Sequence, residues 1–209
     1  MLMRMVPLLF LLAFAPAWGN VILVNDSERG SVDSDGSSNG ANANNFFFAG
    51  FFFVQERNWF EFSIPAFSGT LASATFNLDQ PQFGHQGGPL LYSVYALGGE
   101  PAHFSDVNST TLFGSVKTDS TTDGSLVSIT LGAAALEAIS ENEGGNFFIG
   151  GIDSGENSSS FTGDFASSNN FQTFLILTTV PEPGLGIPIA FALLTLAGAR
   201  IVSLHRKAS

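Results

Sequence analysis

Residues 58–64, Asn-Trp-Phe-Glu-Phe-Ser-Ile, alternate strictly. Trp59, Glu61 and Ser63 fall on one side of an extended chain, Phe60, Phe62 and Ile64 on the other. A period of two residues is the mark of a β-strand with two unlike faces. Comparable short runs recur along the chain: Val21–Val24, Phe46–Val54, Leu71–Leu78, Leu90–Leu97, Leu112–Lys117, Ser125–Leu131, Phe147–Gly151 and Phe171–Thr179. Turn-forming residues separate them, Thr122-Asp123-Gly124 being a hairpin signal of the Asp-Gly kind. One stretch reads differently. Gly132–Asn142 is Ala-rich and places Ala135, Leu136 and Ile139 on one side, with Glu137, Glu141 and Glu143 outward, before Gly144-Gly145 ends it. Many short strands and one brief helix predict a mainly β domain, an antiparallel β-sandwich or jelly roll.

The core of such a domain must come from burial alone, because the chain contains no cysteine. That excludes disulfides, thiolate metal sites and cysteine nucleophiles. Phenylalanine, with 22 copies, is the predicted core residue. The run Phe46-Phe47-Phe48 and Phe51-Phe52-Phe53 reads either as a buried strand or as an exposed platform. Two stretches rich in Ser, Gly, Asn and Asp, residues 27–45 and 154–170, are predicted to be flexible loops.

Both ends differ from this middle. Residues 1–19 have the layout of a secretory signal: Arg4, then the apolar Val6–Phe14, then Ala15-Pro16-Ala17-Trp18-Gly19. Cleavage fits after Ala17 or after Gly19. Near the other end, Pro181 and Pro183 remove backbone donors and stop any strand. An apolar run follows from Leu185 to Ala199, about 22 Å long as a helix. Carried on to Leu204 it reaches about 30 Å, enough to span, with Arg200 able to snorkel. A transmembrane helix is therefore predicted over about 185–204. His205, Arg206 and Lys207 place the tail in the cytoplasm and the middle outside, the orientation the signal also gives.

The exported part, residues 20–179, carries an uneven charge. Residues 20–180 hold 17 acids and three bases (Arg29, Arg57 and Lys117), a net charge of −14. Such a domain repels phosphate backbones, so no nucleic-acid partner is expected.

Residues 180–207 resemble the PEP-CTERM sorting signal of Gram-negative bacteria. The resemblance is carried by the sorting motif Pro181-Glu182-Pro183, the apolar helix, and the basic tail Arg200, Arg206 and Lys207. It implies recognition by an exosortase-type sorting enzyme after passage through the secretion machinery. It also implies association with exopolysaccharide at the cell surface. The middle is similar to ectodomains that precede such anchors, in Trp59–Ile64, Gly69–Leu78, Leu91–Tyr95 and Ile129–Leu136. The Ser73-Ala74-Thr75-Phe76-Asn77-Leu78 block also resembles carbohydrate-binding jelly-roll modules. Neither resemblance implies an activity for particular residues.

Catalytic constellations are sparse. His85 and His103 are the only histidines of the middle, no G-x-S-x-G surrounds a serine, and no H-E-x-x-H or phosphate-binding loop occurs. His103 and Asp106 form the one His–Asp pair close in sequence, and Glu56 and Glu61 are the first candidates for paired carboxylates. No enzyme and no obligatory cofactor are expected. Asp33, Asp35 and Asn39 offer hard oxygens for a calcium ion, although the twelfth position of that stretch is Asn44 where an EF-hand has Glu. For the alternative, a carbohydrate-binding module, sugar would stack on Trp59, Tyr92 or Tyr95.

Overall fold

The computed structural model describes residues 19–39, 49–52, 54–80, 89–108, 110–119, 121–122, 124–154, 162–164 and 173–181. The signal segment, residues 40–48, His85, and everything from Glu182 onward lie outside them. Among the described residues no helix is long and apolar enough to cross a membrane; the predicted span at 185–204 is not among them. The chain divides into two compact units. One comprises Asn20–Phe67 with Leu71–Thr179, and the other groups the terminal segments with Ser68–Thr70.

Among the described residues there are eleven strands and one α-helix: β1 (Asn20–Asp33), β2 (Ser38–Asn39), β3 (Ala49–Phe52), β4 (Val54–Ser63), β5 (Thr70–Asp79), β6 (Leu90–Leu97), β7 (Leu112–Thr118), β8 (Leu126–Thr130), α1 (Ala133–Glu141), β9 (Asn146–Asp153), β10 (Thr162–Asp164) and β11 (Thr173–Val180). They form one sheet in the order β7-β6-β9-β4-β1-β11-β5-β8, with β2 on β1, β3 on β4 and β10 on β3. The ladders run antiparallel, as the alternating runs predict.

The expectation of two separate sheets needs one change, because β1 belongs to both. Its residues 20–25 pair with β11, and residues 26–33 pair with β4. The register slips between Asp26 and Glu28, a bulge that bends the strand between its two partners. At the far side, the Gly132 N–H donates to Phe113 O at 2.7 Å, and a Cβ at Gly114 would lie 2.7 Å from Thr130 O. β7 therefore lies against β8, and the sheet is nearly closed, like a barrel.

Aromatic rings from facing strands fill the inside. Phe76 on β5 meets Phe60 and Phe62 on β4 edge to face, with ring centroids 5.2 and 5.9 Å apart. The Phe113 and Phe147 rings stack at 5.6 Å. Phe60, Phe62 and Ile64 are buried on one face of β4, as their alternation requires. Gly132 caps α1 with extended backbone, and Ala135 and Ile139 enter the core with Leu136 packed beside them. Gly144 follows at φ +75°, a conformation that favours glycine at a helix end.

Two stretches expected to be loops hold strands. β1 continues through Asp33, where a mobile segment from Ser27 is expected, and β10 lies within 154–170. Backbone pairing, β1 with β4 and β10 with β3, makes strands of residues whose side chains carry no apolar alternation.

Candidate functional site

Directly opposed residues of an antiparallel pair share a face. On β1 and β4 the opposed pairs are Arg29–Phe60, Ser31–Asn58 and Asp33–Glu56. Since Phe60 faces the core, Arg29, Ser31 and Asp33 enter the interior too, and all three are buried. The inside of the fold is thus apolar toward one end and polar toward the other.

The polar end is closed by a turn. Gly36, at φ +91°, returns its N–H to Asp33 O at 3.0 Å. Ser37 Oγ lies 2.7 Å from both Asp33 Oδ2 and Asp35 Oδ1, and the Ser37 N–H donates to Asp35 Oδ1 at 2.9 Å. These bonds hold the Asp35 carboxyl below the usual range. Asp33 moves the other way, because burial disfavours its charge more than Ser37 supports it. Its Oδ1 is buried with no hydrogen-bond partner. Opposite it, Glu56 is raised to about 7, first by burial and then by the charges of Asp33 and Asp35. The arrangement can hold a proton near neutral pH.

Asp33 and Asp35, two of the expected calcium ligands, are therefore brought together, with Glu56 added to them. Asn39 sits on β2, paired with Ser31. Among the described residues no group of three or more acidic or histidine side chains is arranged to hold a metal ion.

A second buried charge lies where β1 changes partners. Arg29 Nη2 donates to Asp26 Oδ1 at 3.0 Å, and Arg29 Nε lies 2.5 Å from Asp26 Oδ2. Only the first contact has hydrogen-bond geometry, and Arg29 Nη1 has no hydrogen bond. Burial outweighs the nearby guanidinium and raises Asp26 to about 6. Sequence reasoning missed this pair. Its one signal is the i, i+3 spacing of two opposite charges beside an apolar run, which reads as well as a solvated loop.

The aromatic candidates separate. Trp59 is 1% exposed and Tyr92 0%, so neither offers a free ring face to a sugar. The Trp59 ring lies over Gly30, where an added Cβ would stand 2.5 Å from Nε1. The Tyr92 hydroxyl donates to Asn58 Oδ1 at 2.8 Å, and Gly151 leaves the space for that bond. Tyr95 is half-buried and alone keeps the stacking expectation.

The remaining candidates do not assemble. Glu56 and Glu61 are an odd number of positions apart on β4 and point to opposite faces. Glu61 stands opposite Glu28, and its carboxyl is raised by burial, then by Glu28 and Glu100. The Asp106 carboxylate accepts the N–H groups of Ala102 and His103, at 3.1 and 2.9 Å, and so caps the short 3-10 turn Phe104–Asp106. The Arg57 guanidinium clamps that turn, donating to Val107 O at 2.7 Å and lying 3.9 Å over the Phe104 ring. Of the sorting motif only Pro181 is described, and it is exposed; Glu182, Pro183, Arg200, Arg206 and Lys207 lie outside the described residues.

No family model matches this chain, and no curated protein sequence matches it.

Proposed function

We propose that this chain is a non-enzymatic exported protein of the bacterial surface or extracellular matrix, delivered by its two terminal segments. The observation that carries the reading is the pairing of an N-terminal secretory layout with Pro181-Glu182-Pro183, an apolar stretch and the tail Arg206-Lys207. Each segment alone has many uses; together they give one orientation, with residues 20–179 outside. An exosortase-type enzyme then acts near Pro181, and the membrane-held form is an intermediate. The acidic β domain is the cargo, and its charge suits hydrated exopolysaccharide better than any polyanionic nucleic acid.

The test is mass spectrometry of the protein recovered from membranes and from extracellular material of its own host. The membrane form is expected to begin near Asn20 and the extracellular form to end near Pro181. An extracellular form that still carries Lys207 removes the sorting step from this account. Replacing Pro181 and Pro183 with Ala is expected to leave the protein in the membrane fraction.

A further inference from the structure

Residues 20–179 contain the pattern Asn-x-Ser/Thr three times: Asn25-Asp26-Ser27, Asn108-Ser109-Thr110 and Asn157-Ser158-Ser159. None has proline at the middle position, so all three satisfy the pattern for attachment of a glycan to the side-chain amide. Their surroundings separate them. Asn25 lies within β1, its backbone opposite Phe174 of β11 and next to the buried Asp26–Arg29 pair. An enzyme that takes its acceptor as a loop would have to lift Asn25 out of the sheet. Asn157 lies outside the described residues. Asn108 stands in neither strand nor helix, between the turn Phe104–Asp106 and β7, and it is exposed, as are Asp106 and Thr110. Its Nδ2 donates to Ser105 O at 3.3 Å and to Asp106 O at 3.4 Å, long contacts at the surface that are easily given up.

Two further features single out Asn108. The first is its flank. Asp106 stands two positions before it, where the other two patterns have Leu23 and Gly155. Bacterial oligosaccharyltransferases select their acceptors by an acidic side chain at that place, which pairs with a basic group of the enzyme. The second is presentation. Val107 is 0% exposed, and Arg57 donates to its carbonyl at 2.7 Å. With Val107 pinned inward, the residues on either side of it, Asp106 and Asn108, are held out to solvent together.

We propose that Asn108 is an N-glycosylation site, whose substrate is an oligosaccharide carried on a polyprenyl diphosphate and transferred by a membrane-bound oligosaccharyltransferase. The transfer balances with these two partners. Asn108 Nδ2 attacks the anomeric carbon of the first sugar, the bond from that carbon to the diphosphate oxygen breaks, the amide nitrogen gives up one proton, and the lipid diphosphate leaves. The inference rests on the outward orientation proposed for residues 20–179, and it adds a covalent route from this domain to a polysaccharide-rich surface.

The test is tandem mass spectrometry of peptides spanning Asn25, Asn108 and Asn157, from full-length protein expressed in its own host. Mass increments of whole sugar residues are expected on Asn108. Asn108→Gln and Thr110→Ala are expected to lose them, Thr110→Ser to keep them, and Asp106→Asn, which keeps the shape and removes the charge, to lose most of them. Protease resistance of each variant checks that the domain is folded. A chain that begins near Asn20 and carries no sugar at Asn108 overturns the site and leaves export standing. A chain that keeps residues 1–17 in every fraction overturns export, and the site with it. Sugar that persists in Asn108→Gln but vanishes in Thr110→Ala lies on a hydroxyl and overturns the amide linkage. Equal occupancy at Asn25 or Asn157 overturns the part given to Asp106.

Discussion

The two halves of β1 reverse the usual relation between polarity and burial. Residues 20–25 are apolar apart from the asparagines at their ends, yet Val21 and Leu23 are the most exposed large hydrophobics among the described residues. Residues 27–33 read as part of a loop, yet Arg29 is 5% exposed and Asp33 6%. Partner strands account for the difference. The second half pairs with β4 throughout and with β2 at Ser31 and Val32, and it points Arg29, Ser31 and Asp33 inward. The first half has one partner and an uncovered outer face. Burial is decided by what stands beside a residue, and composition only biases it.

The largest expected effect breaks the polar half. Asp26→Ala leaves the Arg29 guanidinium buried and without its carboxylate. Removing one partner of a buried ion pair costs about 3–5 kcal/mol. Urea unfolding of the variant is expected to show that loss. The double variant Asp26→Leu, Arg29→Met removes both charges and should recover most of it, since an apolar pair of similar volume is often neutral or stabilising. If the double variant is as unstable as the single one, the stranded Arg29 charge is not the source of the loss.

Gly30 comes next. It lies between Arg29 and Ser31 with the Trp59 ring directly against it. Gly30→Ala would place a methyl group where that ring now stands. Overpacking of this kind costs about 1–3 kcal/mol. A red shift of tryptophan fluorescence should accompany the loss as the ring is pushed toward water. An unchanged spectrum would mean that Trp59 moves within the protein and stays dry.

How much of this was legible in the sequence follows from the same contrast. β4 was readable because one of its faces is apolar and the other is not, β6 because it is a nearly continuous apolar run, and α1 because Ala135 and Ile139 keep helical spacing. The second half of β1 was not readable, since its inward residues are Arg29, Ser31 and Asp33. Periodicity detects apolar faces and is blind to a polar interior. Trp59 falls on the face opposite Phe60 as the alternation requires, and core packing was one of its two readings, but what covers that face was not visible in the sequence. The burial of Trp59 depends on Gly30 lying opposite it, a long-range pairing that no local pattern announces. The candidate site was half legible. Asp33 and Asp35 were singled out together, whereas Glu56 was grouped with Glu61 because nearness in sequence gave no sign that the two point to opposite faces.

The polar half should also make the domain respond to pH in an unusual direction. Asp26, Asp33 and Glu56 all have carboxyls raised in the folded state, with burial as the leading cause. Between the ordinary carboxyl range, about 4, and the raised values of about 6 and about 7, the folded protein holds protons that the unfolded chain has released. Stability therefore falls as pH rises through that window and levels off above it. The melting temperature is expected to be higher near pH 5 than near pH 7.5. Glu56→Gln, which keeps the shape and removes the charge, should flatten the upper part of that slope. A melting temperature that rises steadily from pH 5 to 7.5 would show that these carboxyls are not raised in the folded state.

The smallest effect on stability belongs to the apolar half, and there the comparison is sharpest. Leu23→Lys alters a side chain that is 61% exposed and touches an edge with no described neighbour. Exposed substitutions of this kind usually change stability by no more than about 0.5 kcal/mol. The unfolding curve of Leu23→Lys should thus overlay that of the unaltered protein. A large loss of stability would mean that Leu23 is covered by some part of the same chain, and the two halves of β1 would then differ less than their exposures indicate.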